Sequence, residues 1–224
     1  HGFRASWEND ALSRTGIIGD PQLSFYGVAQ ANQLAEHLDK YRIDRIYSSP
    51  FFRCVQTINY LADRKNLEIC IENGISEWYI TSQDEHPSPP KAKTLKTFFP
   101  RIKENYQPTL IPALNGESML QLHRRAEIVV KKLIQQIDEE GDINSIVLCT
   151  HAATNISLGR ALTAISDLEV RTGCASLGVY ERQGDTDLWD CVRNGDCDFL
   201  MNGEERNWWF DEDGAVHKVG KPKI

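Results

Sequence analysis

Ile143-Asn144-Ser145-Ile146-Val147-Leu148-Cys149-Thr150-His151 is the stretch on which the fold turns. Ile143 to Cys149 is the most continuous apolar strand candidate in the 224 residues, and a histidine stands just beyond its end. A short apolar run of this kind fits a central parallel strand covered on both faces. Its neighbours agree. Upstream, Asn115-Gly116-Glu117-Ser118 precedes a long segment with Leu122, Ala126, Val129, Val130, Leu133, Ile134 and Ile137 on one helical face, stopping near Gly141. Downstream, Ala153 to Ile165 resumes helical spacing.

The same alternation runs back toward residue 1. Ser24 is placed to cap a helix with Val28, Ala31, Leu34, Ala35 and Leu38 on one face, ending near Lys40. Ile43 to Ser48 reads as a strand, and Ser49-Pro50 as a helix start with Ser at the cap and Pro in the first turn, which puts Arg53 at that end. The helix carries Val55, Ile58, Leu61 and Ala62 and leads into a strand over Leu67 to Ile71. Toward the other end, Ala175 to Glu181 and Leu188 to Val192 read as a closing antiparallel pair. The expected fold is therefore α/β, a three-layer α/β/α sandwich with a mostly parallel central sheet, whose ligands bind beyond the carboxyl ends of the strands. Length and the lack of internal repeats favour one domain over residues 1–224. Residues 79–115 are a proline-rich, lid-like excursion, with prolines at 87, 89, 90, 100, 108 and 112 and short helical pieces around Lys93 to Phe99.

Composition narrows the function classes. A net charge of −7 argues against direct nucleic-acid binding, which calls for a basic face. Nothing approaches the ~20 apolar residues of a membrane span, so no membrane partner is expected and the protein reads as soluble and intracellular, nuclear or cytoplasmic. Cys54, Cys70, Cys149, Cys174, Cys191 and Cys197 are scattered and read as reduced core thiols. Cys191 and Cys197 flank an expected turn at Asn194-Gly195, where a disulfide is conceivable but not favoured. The six histidines form no compact ligand cluster, so neither metal nor cofactor is expected. No Cys is followed by Arg at the spacing of a cysteine phosphatase, and Gly214 to Pro222 misses the P-loop pattern by one spacing and by Pro after Lys221.

Five pieces stand in a telling order: His1-Gly2-Phe3-Arg4, Ser49-Pro50-Phe51-Phe52-Arg53-Cys54-Val55-Gln56-Thr57, Glu77-Trp78, Gly116-Glu117-Ser118 and Thr150-His151-Ala152-Ala153. Together with Asp20 to Gly27 they resemble the histidine phosphatase superfamily, which includes the phosphoglycerate mutases. The Glu-Trp pair and Gly203 to Asp211 resemble a yeast branch that contains the histidine phosphatase domain of the tau subunit of TFIIIC, the RNA polymerase III factor, and its stand-alone paralogue. The family signature is Arg-His-Gly. The leading arginine, and the strand that would deliver the histidine, are expected ahead of residue 1.

The resemblance implies a phosphoryl-transfer site, and the chemistry explains its residue types. A neutral imidazole attacks phosphorus in line and forms a phosphohistidine, dividing one hard hydrolysis into two steps. His1 takes that role. Charge on the equatorial oxygens is met by fixed cations and donors. Arg4, Arg53 and His151 supply these, joined by the Ala152 amide at a helix start. The leaving oxygen needs a proton, and Glu77 is the expected donor. Glu117 competes, although its place before Ser118 also suits dipole or capping support. Trp78, Tyr79 and the following prolines form either an apolar wall for the substrate or ordinary core.

The implied activity is metal-independent hydrolysis of a phosphorylated peptide, on tyrosine or serine, or of a small phosphomonoester. A mutase is less well matched, because residue 4 is Arg where mutases typically carry Ser after Glu. A different class of role is a catalytically dispensable interaction module among the subunits of a transcription complex.

Overall fold

The computed structural model describes residues 13–17, 19–81 and 88–210. Its centre is a parallel sheet of three strands, β1 (Arg45–Ser48), β2 (Ile69–Ile71) and β3 (Ile146–Cys149), in the order β2, β1, β3. Ile46 pairs with Ile69 on one side and Val147 on the other.

Strand parity builds the layers. Side chains alternate across a sheet. Ile46, Ile69 and Ile71 fall in one apolar cluster with Leu34, Leu38, Val55, Ile58 and Leu61. Tyr47 and Cys70 fall in a second with Val129, Val130, Leu133 and Leu158. The first cluster is closed by α1 (Phe25–Leu38) and α2 (Phe52–Lys65), the second by α4 (Met119–Glu140) and α5 (Ala152–Thr163). The result is the expected sandwich: two helices, a parallel sheet, two helices.

Helix ends follow their local chemistry. The Ser24 hydroxyl accepts from the Gly27 amide, so α1 starts where the cap residue predicts. In α4, Ser118 and Gln121 satisfy each other's backbone in a capping box, and Gly141, at φ 76°, provides the left-handed residue that ends the helix. α2 departs from expectation. Its cap position is Phe51 rather than Ser49, and no side chain of the cap residue bonds the first turn.

The excursion is anchored at its middle. It holds α3 (Ala92–Lys96), and Leu95 and Ile102 are fully buried in the first cluster. Ile102 bridges Ile69 in parallel. Beyond α5, β4 (Leu177–Arg182) and β5 (Trp189–Asp196) form an antiparallel pair. The turn expected at Asn194-Gly195 is absent, because β5 runs through both residues, with Gly195 at φ 69°. The six cysteines are free, and Cys174 is exposed rather than in the core. The four residues of β3 are only half-buried, unlike those of β2, and among the described residues β3 pairs on one side alone.

Candidate active site

The carboxyl ends of β1, β2 and β3 point the same way, so the residues just beyond them gather in one place. Ser49 follows β1, Glu77 follows β2 by a short 3-10 turn (Asn73–Ile75), and His151 follows β3. The Ser49 amide donates to the Cys149 carbonyl at 2.8 Å, extending the β1 to β3 ladder to the edge of the site. Ser49 does not cap α2 as expected. Its hydroxyl lies 2.8 Å from His151 Nε2. The free amide of Phe52 donates instead to Asp20 Oδ1, at 2.7 Å, and Thr15 donates to the other oxygen at 2.9 Å. A carboxylate accepts from an amide more strongly than a hydroxyl does, and here it reaches the helix start from a loop far away in sequence. Asp20 is fully buried, which raises its pKa against the pull of the Phe52 amide and the Thr15 hydroxyl.

Arg53, in the first turn of α2, donates from Nη2 to Glu77 Oε2 at 3.0 Å. His151 Nδ1 lies 3.1 Å from the same oxygen. Burial opposes a charge on His151, but the Cys54 sulfur and the Glu77 carboxylate draw its pKa up to about 9. The ring is then an imidazolium at neutral pH, donating from Nδ1 to Glu77 and from Nε2 to Ser49. Arg53 Nη2 is 3.2 Å from Nδ1. Two donors do not bond, so this close approach is held by the carboxylate oxygen they share. Glu77 also accepts from the Trp78 amide at 2.9 Å. Burial pushes its pKa up, and His151 and Arg53 overcome that push and hold the carboxyl well below the usual range. Two cations and one carboxylate thus stand together at the sheet end, partly open to solvent.

Beside them lies a hollow walled by Phe51, Tyr79, Pro89, Ile111, Pro112 and Leu114. The Arg53 guanidinium sits 4.9 Å from the centroid of Phe51 and also hydrogen-bonds the Tyr79 hydroxyl. Such a site has donors for an anion next to an apolar chamber for whatever the anion is attached to.

A sequence model of the histidine phosphatase superfamily (branch 1) matches residues 4–196. The chain belongs to the histidine phosphatase superfamily. Among curated relatives it is 30% identical, over 248 aligned positions, to the transcription factor tau 55 kDa subunit of Saccharomyces cerevisiae, a match covering 94% of this chain and 57% of the yeast subunit. It is 45% identical over 73 residues to phosphoserine phosphatase 1 of Hydrogenobacter thermophilus, covering 33% of this chain and 35% of the relative. It is 27% identical over 161 residues to the ecdysteroid-phosphate phosphatase of Drosophila melanogaster, covering 67% and 21%. The chain therefore spans little more than half the length of the first of these relatives and less of the others. Of solved structures, the ecdysone phosphate phosphatase of Bombix mori in complex with tungstate superposes with a TM-score of 0.66 at 20% identity, covering 79% of this chain and 73% of that one. Mycobacterial glucosyl-3-phosphoglycerate phosphatase does so with a TM-score of 0.56 at 22% identity, covering 79% and 87%. At those identities the likeness is one of fold.

For a histidine phosphatase, the sequence-expected residues divide in three. Arg53, Glu77 and His151 are together. His1 and Arg4 lie outside the described residues. Ala152 opens α5, so its amide belongs to the first turn, whose N–H groups have no acceptor within the helix. Glu117 borders the same hollow as Glu77, but it is buried and held in an ion pair with Arg125, at 2.7 Å. Trp78 packs with Leu122 and Ala153, and Tyr79 and the prolines make the wall without it. Sequence reasoning missed Asp20 as the remote partner of α2, Cys54 with its sulfur 3.5 Å from His151 Nε2, and Arg125. Arg125 carried one legible signal: a charged residue on the apolar face of α4, between Leu122 and Val129.

Proposed function

We propose that this histidine phosphatase domain hydrolyses phosphomonoesters without a metal, through a phosphohistidine at His1, and that phosphorylated peptides are its substrates. The observation that carries this reading is the convergence of Arg53, His151 and Glu77 at the ends of three parallel strands, with an apolar hollow alongside. Arg53, the His151 imidazolium, Arg4 and the Ala152 amide bind the three equatorial oxygens and lower the barrier by electrostatic preorganisation. Glu77 protonates the leaving oxygen. Its low pKa in the free site has the same two neighbours as its cause. A phosphate dianion engages both cations and adds a negative charge beside the carboxyl, so substrate binding itself raises the Glu77 pKa toward that of a proton donor. The apolar wall receives the side chain that carries the phosphate.

The test is turnover by the purified chain of p-nitrophenyl phosphate, of phosphotyrosyl and phosphoseryl peptides, and of sugar and glycerate phosphates, with and without EDTA. His1→Ala is expected to lower kcat at least a thousandfold with an unchanged thermal melt. Full turnover by that variant excludes His1 as the nucleophile.

The yeast relative supports a second reading, in which the domain is an interaction module of a TFIIIC-type complex in the nucleus, associated with RNA polymerase III transcription. The two are compatible. Failure to turn over any substrate in the panel favours the module alone, and turnover confined to sugar or glycerate phosphates favours a small-molecule phosphatase or mutase.

A further inference from the structure

Glu77 sits on a loop that has little regular structure of its own, between a three-residue strand and the start of the excursion. Its neighbours on the chain are nevertheless held one by one. The carbonyl of Gly74 accepts from Arg125 Nη1 at 2.7 Å, that of Ile75 from the Thr150 hydroxyl at 2.7 Å, and that of Ser76 from both Arg125 Nη1, at 3.2 Å, and the Thr154 hydroxyl, at 2.7 Å. Beyond Glu77 the grip continues. The Glu117 amide donates to the Tyr79 carbonyl at 2.8 Å, and the Trp78 indole donates to the Glu117 carbonyl at 3.0 Å. Arg125 closes the circuit, since its Nε donates to both carboxylate oxygens of Glu117 at 3.0 Å each. One buried guanidinium, on α4, thus ties the segment before Glu77 to the segment after it.

Arg125 is 3% exposed and Thr154 fully buried, and neither lines the substrate hollow. Burying an ion pair is costly, and an apolar pair of the same volume is often at least as stable. Core packing alone therefore does not account for the Arg125 to Glu117 pair, whereas the fixed geometry it imposes on a proton donor does, because a donor must stay within hydrogen-bond reach of the leaving oxygen.

We infer that Arg125 and Thr154 are positioning residues for the reaction: they hold the loop carbonyls that set where the Glu77 carboxyl stands relative to Arg53 and His151. The inference rests on Glu77 being the proton donor. Misplacing a donor slows esters whose leaving group needs protonation and spares those whose leaving group departs as an anion. A general loosening of the fold slows both alike.

The experiment compares the chain with Glu77→Gln, Arg125→Met, Thr154→Val and Thr154→Ser on a series of aryl and alkyl phosphates of rising leaving-group pKa. Glu77→Gln is expected to steepen the dependence of kcat on leaving-group pKa. Arg125→Met and Thr154→Val are expected to steepen it in the same sense, with about a tenfold loss on alkyl phosphates and p-nitrophenyl phosphate kept within about threefold. Thr154→Ser, which retains the hydroxyl, restores the shallow slope. If Arg125→Met does not fold, Thr154→Val against Thr154→Ser decides. Equal losses on all esters, or none, in the Arg125 and Thr154 variants overturn the positioning role while leaving Glu77 as the donor. A flat response in Glu77→Gln itself overturns both, because there is then no donor to position.

Discussion

His151 shows how a single side chain joins stability to chemistry. The cysteine sulfur and the carboxylate beside it raise its pKa in the folded chain to about 9, above the ~6.5 of an unfolded histidine. Its stabilising contribution is therefore complete below pH ~6.5 and is lost as pH rises through about 9. Glu77 has the opposite sign. Its folded pKa is depressed, so its contribution is present above the usual carboxylate range and is lost on acidification. A rise from ~6.5 to about 9 corresponds to about 3 to 4 kcal/mol at most. Urea unfolding of the free chain between pH 6 and pH 10 should show this loss, and His151→Gln should remove that part of the slope. Parallel pH profiles for the two proteins would show that folding does not shift the imidazole pKa. That His151, Arg53 and Glu77 come together was legible because each follows a strand in a family motif. Ser49 and Cys54 lie in the same motif, but their contacts are to a residue about a hundred positions away, which no local pattern encodes.

At the scale of elements, strands and helices were read correctly in kind and order, because 3.6-residue and two-residue periodicities are local signals. What failed was the start of α2. Ser-Pro before a helix has the composition of a cap, but the cap comes from Asp20, 32 residues upstream. The strand at Ile143 likewise begins later, at Ile146, because the amides of Asn144 and Ser145 donate to Asp44 Oδ2 instead of to a neighbouring strand. The remote cap has a measurable consequence. Since Asp20 holds the first turn of α2 and Arg53 stands in that turn, Asp20→Ala should cost about 1 to 2 kcal/mol of stability and also weaken inhibition by vanadate. Asp20→Asn, which keeps an acceptor, should lose less of both. A variant that melts earlier with vanadate affinity unaltered would mean that the cap holds the helix without setting the phosphate site.

Over the whole molecule, two properties pull in different directions. The chain carries a net charge of −7, so an incoming phosphate meets an unfavourable field until it reaches Arg53 and His151. Under the proposed function, attraction for the rest of the substrate comes from the apolar wall. That wall is assembled from four separate parts of the chain, around Phe51, Tyr79, Pro89 and Ile111 to Leu114, and none has a periodic pattern that marks it as a pocket. The sequence pointed to the sheet end where Arg53, Glu77 and His151 meet, but not to the apolar lining beside it. Ile111 and Leu114 are 70% and 76% exposed at the rim, large apolar side chains left bare where a bound group would cover them. An aromatic ring carrying phosphate has enough apolar area to gain from that contact, and a serine side chain has almost none. Phosphotyrosyl peptides are therefore expected to show a higher kcat/KM than phosphoseryl peptides of the same sequence. Leu114→Glu should raise KM for the phosphotyrosyl peptide about five- to tenfold, because it removes apolar contact and adds an anion beside the entrance. Its kcat should stay within about twofold, since Leu114 is not among the groups that meet the phosphate. An unchanged KM for the peptide would mean that the leaving group departs over another surface, and the preference for tyrosine would then need a different wall.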